Sequence, residues 1–366
     1  MRALRGLFKT LLLSVLLTAL AVPATAEVLR SDLAPVQDTV ASATDGVLVR
    51  FTLANTSDED VFILAYETPL RGFERDLLQV WRNGEPIPYI GLLALRIGPS
   101  RDDWIRIPAG ESISGEFDLA SAYDLRRGGT YTLQYNSSVQ VFSGSDGWRL
   151  PVARLNEIGE IEHEGLRDHQ GREELTRVGL LSQPRQVSVI GDVPVEEFDD
   201  EPPASAMAFY GCSNTSTLTT AQSTARSRAA KAYYAIPSYN TFYRTWFGTT
   251  SSYVSTVRGR FANSYNRLGQ TVDYYCGSYA PYCQSNYIAY TYKTTSNRIY
   301  ICPAFWNQNA SGMAHTVAHE SFHWNTVASA DDVTYGYTNC INLAKTRPND
   351  TLRNADSYAY ATTYAP

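Results

Sequence analysis

The sequence predicts an α+β protein in two parts: an all-β, sandwich-like first half, then a mainly helical second half carrying a small β-hairpin or sheet. Three observations predict this. Residues 27–150 alternate apolar and polar side chains with period two, broken at turn signals. The composition then changes, and residues 207–366 are rich in Tyr, Ser, Thr, Ala and Asn. Between the two lies the run Gly191 to Pro203, acidic, proline-containing and too poor in aliphatic residues to bury a core. At 366 residues the chain is long enough for two cores.

Taken in order, residues 1–26 have the pattern of an export signal. Arg2, Arg5 and Lys9 form a basic start, Thr10 to Val22 an apolar run, and Ala24-Thr25-Ala26 a small-residue cleavage site. No later stretch is long and apolar enough to cross a membrane. In the first half, Val47 to Leu53, Val61 to Tyr66, Leu78 to Trp81, Trp104 to Ile107 and Thr130 to Tyr135 read as strands. Asn83-Gly84 and Ala109-Gly110 read as turns between them. Residues 151–206 form a charged linker, with a helix expected around Gln170 to Val178 and exposure to proteolysis at its acidic end. In the second half, helices are expected at Ser216 to Tyr234, Ser252 to Leu268, Tyr337 to Thr346 and Asn349 to Tyr360. A hairpin is expected from Tyr287 to Tyr292 and Arg298 to Cys302.

Charge divides along the same line. From Met207 onward nine Arg and three Lys face five Asp and one Glu, a net +6; the whole chain carries −6, so residues 1–206 carry −12. Two halves of opposite sign attract each other. The basic residues are scattered rather than clustered, which argues against a nucleic-acid partner. All five cysteines fall after residue 206, and in an exported chain they imply disulfides. None forms a Cys-x-x-Cys pair, so a structural zinc site of that kind is excluded.

The chemistry concentrates at His319-Glu320-Ser321-Phe322-His323. The flanks, Ala314 to Trp324, hold no Gly or Pro and read as helix. Two histidines four apart on a helix lie one turn above the other, the spacing two imidazoles need to hold one zinc ion. Glu320 between them can reach a water on that metal and take its proton. A chance pair of histidines satisfies the same five residues, so the third ligand decides. No histidine follows His323 and no glutamate follows Glu320. His315 lies a further turn away and is expected to support the site rather than ligate. Among the downstream carboxylates Asp331, Asp332, Asp350 and Asp356, a turn after the helix brings Asp331 or Asp332 back most directly. Cys340 is a weaker candidate.

Asp332-Val333-Thr334-Tyr335-Gly336, nine residues beyond His323, matches the second half of the signature Gly-Thr-x-Asp-x-x-Tyr-Gly. With Tyr210-Gly211-Cys212, Thr245 to Gly248, Tyr300 to Trp306 and Asn354 to Tyr358, it makes residues 207–366 resemble the aspzincins, the deuterolysin and peptidyl-lysine metalloendopeptidase family. The resemblance implies one Zn2+ per chain, held by His319, His323 and Asp332. It implies Glu320 as general base and Tyr335 as donor to the developing oxyanion. Asp356 matches an aspartate lining the pocket for the residue after the scissile bond, where lysine is favoured. It also implies the disulfides Cys212–Cys276 and Cys283–Cys302, leaving Cys340 as a buried extra thiol. Two positions depart from the pattern. Ser329-Ala330 replaces Gly-Thr, and Ala359 stands where lysine-specific members carry a second acidic residue.

On this reading the protein is a secreted, extracellular, monomeric peptidase acting on proteins or peptides, made as a zymogen whose propeptide is residues 27–150 with the linker to 206. No lysine occurs between Lys9 and Lys231, which would spare the propeptide from a lysine-directed enzyme. The alternative is an exported binding or adhesin protein whose zinc site is structural or inactive.

Overall fold

A computed structural model describes residues 28–143, 152–155, 161–164, 175–192 and 208–366. The expected export signal, most of the linker and His169 lie outside these residues. The fold class is α+β.

The first half is built from strands β1 (Leu29–Pro35), β2 (Thr39–Ser42), β3 (Leu48–Asn55), β4 (Val61–Leu64), β5 (Leu78–Arg82), β6 (Glu85–Pro86), β7 (Leu92–Arg96), β8 (Trp104–Ile107), β9 (Ser112–Asp118), β10 (Gly129–Ser143), β11 (Val152–Leu155), β12 (Ile161–Glu164), β13 (Leu175–Leu181) and β14 (Arg185–Gly191). One antiparallel sheet runs β1-β3-β9. A larger sheet centres on β10, which pairs with β4, β5, β13 and β14. Leu33, Val49 and Phe51 from the first sheet and Val80, Tyr131 and Leu133 from the second lie fully buried in one apolar cluster. Alternation explains it: inward residues of both sheets are apolar and outward ones polar.

The expected helix around Gln170 to Val178 is corrected over the residues described there. Leu175–Leu181 is a strand pairing with β10, and Arg185–Gly191 follows as another. Val178 and Leu180, two apart, turn to the core while Arg177 and Leu181 face out, and β10 supplies the partner hydrogen bonds. The all-β region therefore continues past residue 150 to Gly191.

The second half carries β15 (Phe209–Tyr210), α1 (Thr215–Ala235), α2 (Thr241–Phe247), α3 (Val254–Leu268), β16 (Asp273–Cys276), β17 (Tyr287–Tyr292), β18 (Arg298–Ile301), α4 (Ala310–His323), α5 (Tyr337–Thr346), α6 (Pro348–Thr351) and α7 (Ala355–Thr363). The helix expected at Asn349 to Tyr360 is two helices, interrupted between Thr351 and Ala355. Helix α4 is the axis of this half, with α1, α3 and α7 packed around it. Asn309 caps its start by accepting from the Gly312 N–H at 2.9 Å. Every residue from Met313 to His323 except His315 is buried, as a helix enclosed on all sides requires. The disulfides Cys212–Cys276 and Cys283–Cys302 are formed, and Cys340 is free and buried.

The two halves share a sheet. Its order is β15-β16-β18-β17-β7, so the fifth strand, Leu92–Arg96, comes from the first half and pairs antiparallel with β17.

Candidate metal centre

His319 and His323 sit one turn apart on α4, fully buried, with their Nε2 atoms 3.1 Å from each other. The chain then doubles back. Ser329 N–H and Ala330 N–H donate to the carbonyls of Trp324 and Phe322, which lays the loop against the end of α4. Asp332 is thereby brought to the imidazoles, its Oδ1 3.1 Å from His319 Nε2 and 3.4 Å from His323 Nε2.

These three atoms are mutual acceptors. His323 Nδ1 donates to the Ala330 carbonyl at 3.0 Å, and His319 Nδ1 donates to Asp356 Oδ1 at 3.0 Å. In the neutral imidazoles both Nε2 atoms therefore present lone pairs, and neither Asp332 oxygen has a hydrogen-bond partner. Lone pairs packed at 3.1–3.4 Å are satisfied by one cation between them. A tetrahedral ion with arms of about 2.0–2.1 Å has edges of about 3.3 Å, so the triangle suits zinc.

Electrostatics agree. Burial disfavours charging His319, yet the carboxylates of Asp332 and Asp356 outweigh it and raise its pKa to about 10. His323, buried beside that imidazole, is lowered to about 4 despite Asp332. Burial also opposes ionisation of Asp332, but the two imidazoles hold it below the usual carboxylate range. A proton and a metal ion compete for the same imidazole lone pair.

Glu320 lies on α4 between the histidines, 0% exposed, with neither carboxyl oxygen hydrogen-bonded. Burial pushes its pKa well above the ordinary value. A buried carboxyl without partners is costly and is characteristic of a group kept for chemistry. A cleft of about 410 Å³ between the halves is lined by Arg75, Asp76, Asp331, Asp332, Arg347 and Arg353 among others.

The other candidate, Asp331, has a different neighbour. Its carboxylate pairs with the buried Lys293, and its backbone bridges to Arg353 and Ala355. Asn354 holds the loop by accepting from the N–H groups of Val333 and Thr334 at 3.0 Å each. Cys340 faces Asp356 and Asn354 rather than the histidines.

Asp356, expected to line the pocket for the residue after the scissile bond, lies beside His319. It is 1% exposed, and both oxygens are taken: Oδ1 by His315 Nε2 at 3.1 Å and His319 Nδ1, Oδ2 by the Gly336 N–H at 2.7 Å. These contacts fix the orientation of the His319 ring. His315, expected as a supporting residue, completes that arrangement.

Tyr335 stacks against His319 with ring centroids 6.1 Å apart, and its hydroxyl donates to the Ala94 carbonyl at 2.8 Å. Ala94 and its strand went unnoticed in the sequence. The signal was present: Leu92-Leu93-Ala94-Leu95 is a continuous apolar run, the mark of a strand buried on both faces rather than one.

Comparison with known proteins follows the same division. Residues 232–363 match the family described as lysine-specific metallo-endopeptidase, and residues 8–147 match the deuterolysin metalloprotease family. An extracellular protease of Aeromonas hydrophila is 28% identical over 337 residues, covering 88% of this chain and 89% of that protein. A peptidyl-Lys metalloendopeptidase of Armillaria mellea is 31% identical over 163 residues, covering 42% of this chain and 45% of that protein. A zinc peptidase from Grifola frondosa of known structure is 28% identical, covers 42% of this chain and 96% of its own, and superposes with a TM-score of 0.38.

Proposed function

We propose that the chain is a secreted, zinc-dependent endopeptidase made as a latent precursor, a reading supported by its matches to the deuterolysin model over residues 8–147 and to the lysine-specific metallo-endopeptidase model over residues 232–363. The observation that carries this is the triangle of His319 Nε2, His323 Nε2 and Asp332 Oδ1 beside the unpartnered carboxyl of Glu320. Those three residues would hold one zinc per chain. When bound, the ion supplies Lewis acidity and makes water acidic enough to act near neutral pH.

The side chains divide the remaining work. Glu320 accepts the proton of the attacking water as its oxygen bonds to the peptide carbonyl carbon. It returns that proton to the amide nitrogen as the C–N bond breaks. Tyr335 donates its hydroxyl to the carbonyl oxygen as negative charge develops there. Asp356 holds the His319 ring in the tautomer that ligates.

Latency has a basis in the shared sheet. The precursor's own β7 covers the edge of β17, and the Ala94 carbonyl occupies the hydroxyl of Tyr335. Arg96 anchors the strand: it is 2% exposed, ion-paired with Glu74 and Asp103, and lies over the rings of Tyr66 and Tyr287. Asp103 in turn accepts from Asn286 of the peptidase half at 2.9 Å. Maturation would cut the acidic stretch between β14 and β15.

Glu320→Ala tests the reading. It should abolish casein hydrolysis while zinc content by mass spectrometry stays near one per chain; retained proteolysis would sink the mechanism.

A further inference from the structure

The shared sheet has two edges. β7, from the first half, forms one, and β15, the first element of the peptidase half, forms the other. Granted the precursor reading above, processing frees the first edge and leaves a new chain end beside the second.

That end is fixed by the strand that follows it. Phe209 and Tyr210 pair in parallel with Tyr274 and Tyr275 of β16, and the Ala208 carbonyl accepts from the Tyr274 N–H at 2.9 Å. Phe209 stacks on Tyr274 with ring centroids 5.8 Å apart, and Tyr210 on Tyr275 at 4.5 Å. The disulfide Cys212–Cys276 ties the same two segments. The Ala208 nitrogen is thereby held against Asp273, the first residue of β16, and donates to its Oδ1 at 3.3 Å. Asp273 is held in turn, its own N–H donating to the Asn297 carbonyl at 2.8 Å. It is 6% exposed, and among the described residues its carboxylate accepts this one hydrogen bond. Arg298 lies opposite it in the register with β18, in precursor and product alike.

A neutral N–H at 3.3 Å is a weak partner for a buried carboxylate, which is costly to bury without a good one. Hydrolysis of the bond before Ala208 changes the donor. One water is consumed, the upstream piece takes a carboxylate, and the Ala208 nitrogen becomes a primary amine, protonated at neutral pH. A positive charge then stands where the amide N–H stood, and charge-assisted N–H···O bonds close to about 2.7–2.9 Å.

We infer that Asp273 is the receptor for the new amino terminus: the mature chain starts at Ala208, and its α-ammonium pairs with the Asp273 carboxylate. The contact fastens the β15 edge of the sheet as β7 leaves the opposite one. It also singles out one bond. A cut one residue earlier carries the ammonium about 3.5 Å further along an extended chain, and a cut one residue later removes the nitrogen that reaches Asp273.

The experiment sequences the processed enzyme from its amino terminus and compares thermal midpoints of wild type and Asp273→Asn, each as the full chain and as the processed enzyme. The expected sequence starts Ala208-Phe209-Tyr210. Asn keeps the shape and an acceptor oxygen but not the charge. The expected result is little change in the full chain and a midpoint at least about 2–4 °C lower in the processed enzyme. A start at any other residue, or an equal or larger shift in the full chain, overturns the inference and leaves the peptidase reading standing. A full chain that hydrolyses casein without being cut overturns the precursor reading and the inference together. A second measurement needs no substitution. At pH 7 an amine-acylating reagent should label the Ala208 amino group of the folded processed enzyme at least about tenfold more slowly than that of the urea-unfolded chain, since a carboxylate partner favours the unreactive ammonium. Equal rates overturn the inference.

Discussion

The hydroxyl of Tyr335 donates to the carbonyl oxygen of Ala94 at 2.8 Å, joining residues 241 positions apart and lying in opposite halves of the chain. Under the proposed function one side chain would serve two states: in the precursor it would hold the strand that covers the site, and in the processed enzyme it would be free to face a substrate carbonyl. Tyr335→Phe keeps the ring and its packing against His319 but removes the donor. The processed variant should lose about 10²–10³ in kcat with little change in KM, as for other lost oxyanion donors. Steady-state kinetics at unchanged zinc content checks this; an unaltered kcat would remove Tyr335 from the reaction.

Asp356→Asn should weaken zinc binding by about 10–100-fold, the usual range for partners of ligand histidines. The reason is specific. The carboxylate accepts from His319 Nδ1 on one oxygen and from the Gly336 N–H on the other, and an amide can offer an acceptor to only one of them. Competition against a chromophoric chelator measures the affinity. A variant that holds zinc as tightly as wild type would assign Asp356 elsewhere.

Asp76 belongs to the first half and faces Asp331 of the second. Burial, then the charge of Asp331, raises its pKa to about 6, against the Tyr123 hydroxyl, Lys293 and Arg353, which act to lower it. A raised carboxyl pKa favours the protonated form in the folded chain. Its contribution to stability is full below the unfolded value of 3.8 and is lost as pH rises through about 6. Asp76→Asn should match wild type near pH 4 and exceed it by up to about 3 kcal/mol near pH 7.5. Denaturant unfolding of the full chain across that range tests the sign; parallel curves would refute it.

Ser329 takes φ +50°, left-handed backbone that a non-glycine residue adopts at a cost. The signature this loop otherwise resembles has glycine there. Ser329→Gly should raise stability by about 1 kcal/mol or less, since glycine also loses more freedom on folding. A thermal midpoint at or below wild type would show that the serine side chain contributes more than its backbone costs.

Much of the peptidase half was legible in the chain. The helical spacing of His319 and His323 is local, as are the long uninterrupted helices and the hairpin at Tyr287–Ile301, and local pattern predicted all of them. The strand at Leu175–Leu181 was misread because its neighbours are highly charged and its pairing partner, β10, lies far off in sequence. Hydrogen-bonding to a distant edge outweighed local propensity there.

The sequence by itself determined the chemistry: two imidazoles and a carboxyl on one helix turn, a short return to an aspartate, a tyrosine three residues on, and two halves of opposite charge. Only the tertiary structure decided which of Asp331 and Asp332 faces the histidines, because Lys293 neutralises one and leaves the other for a metal. Only it placed the Asp356 carboxylate against His319 Nδ1. And only it brought Leu92–Arg96 onto β17, since backbone hydrogen bonds between strands nearly 200 residues apart leave no periodic trace in either segment.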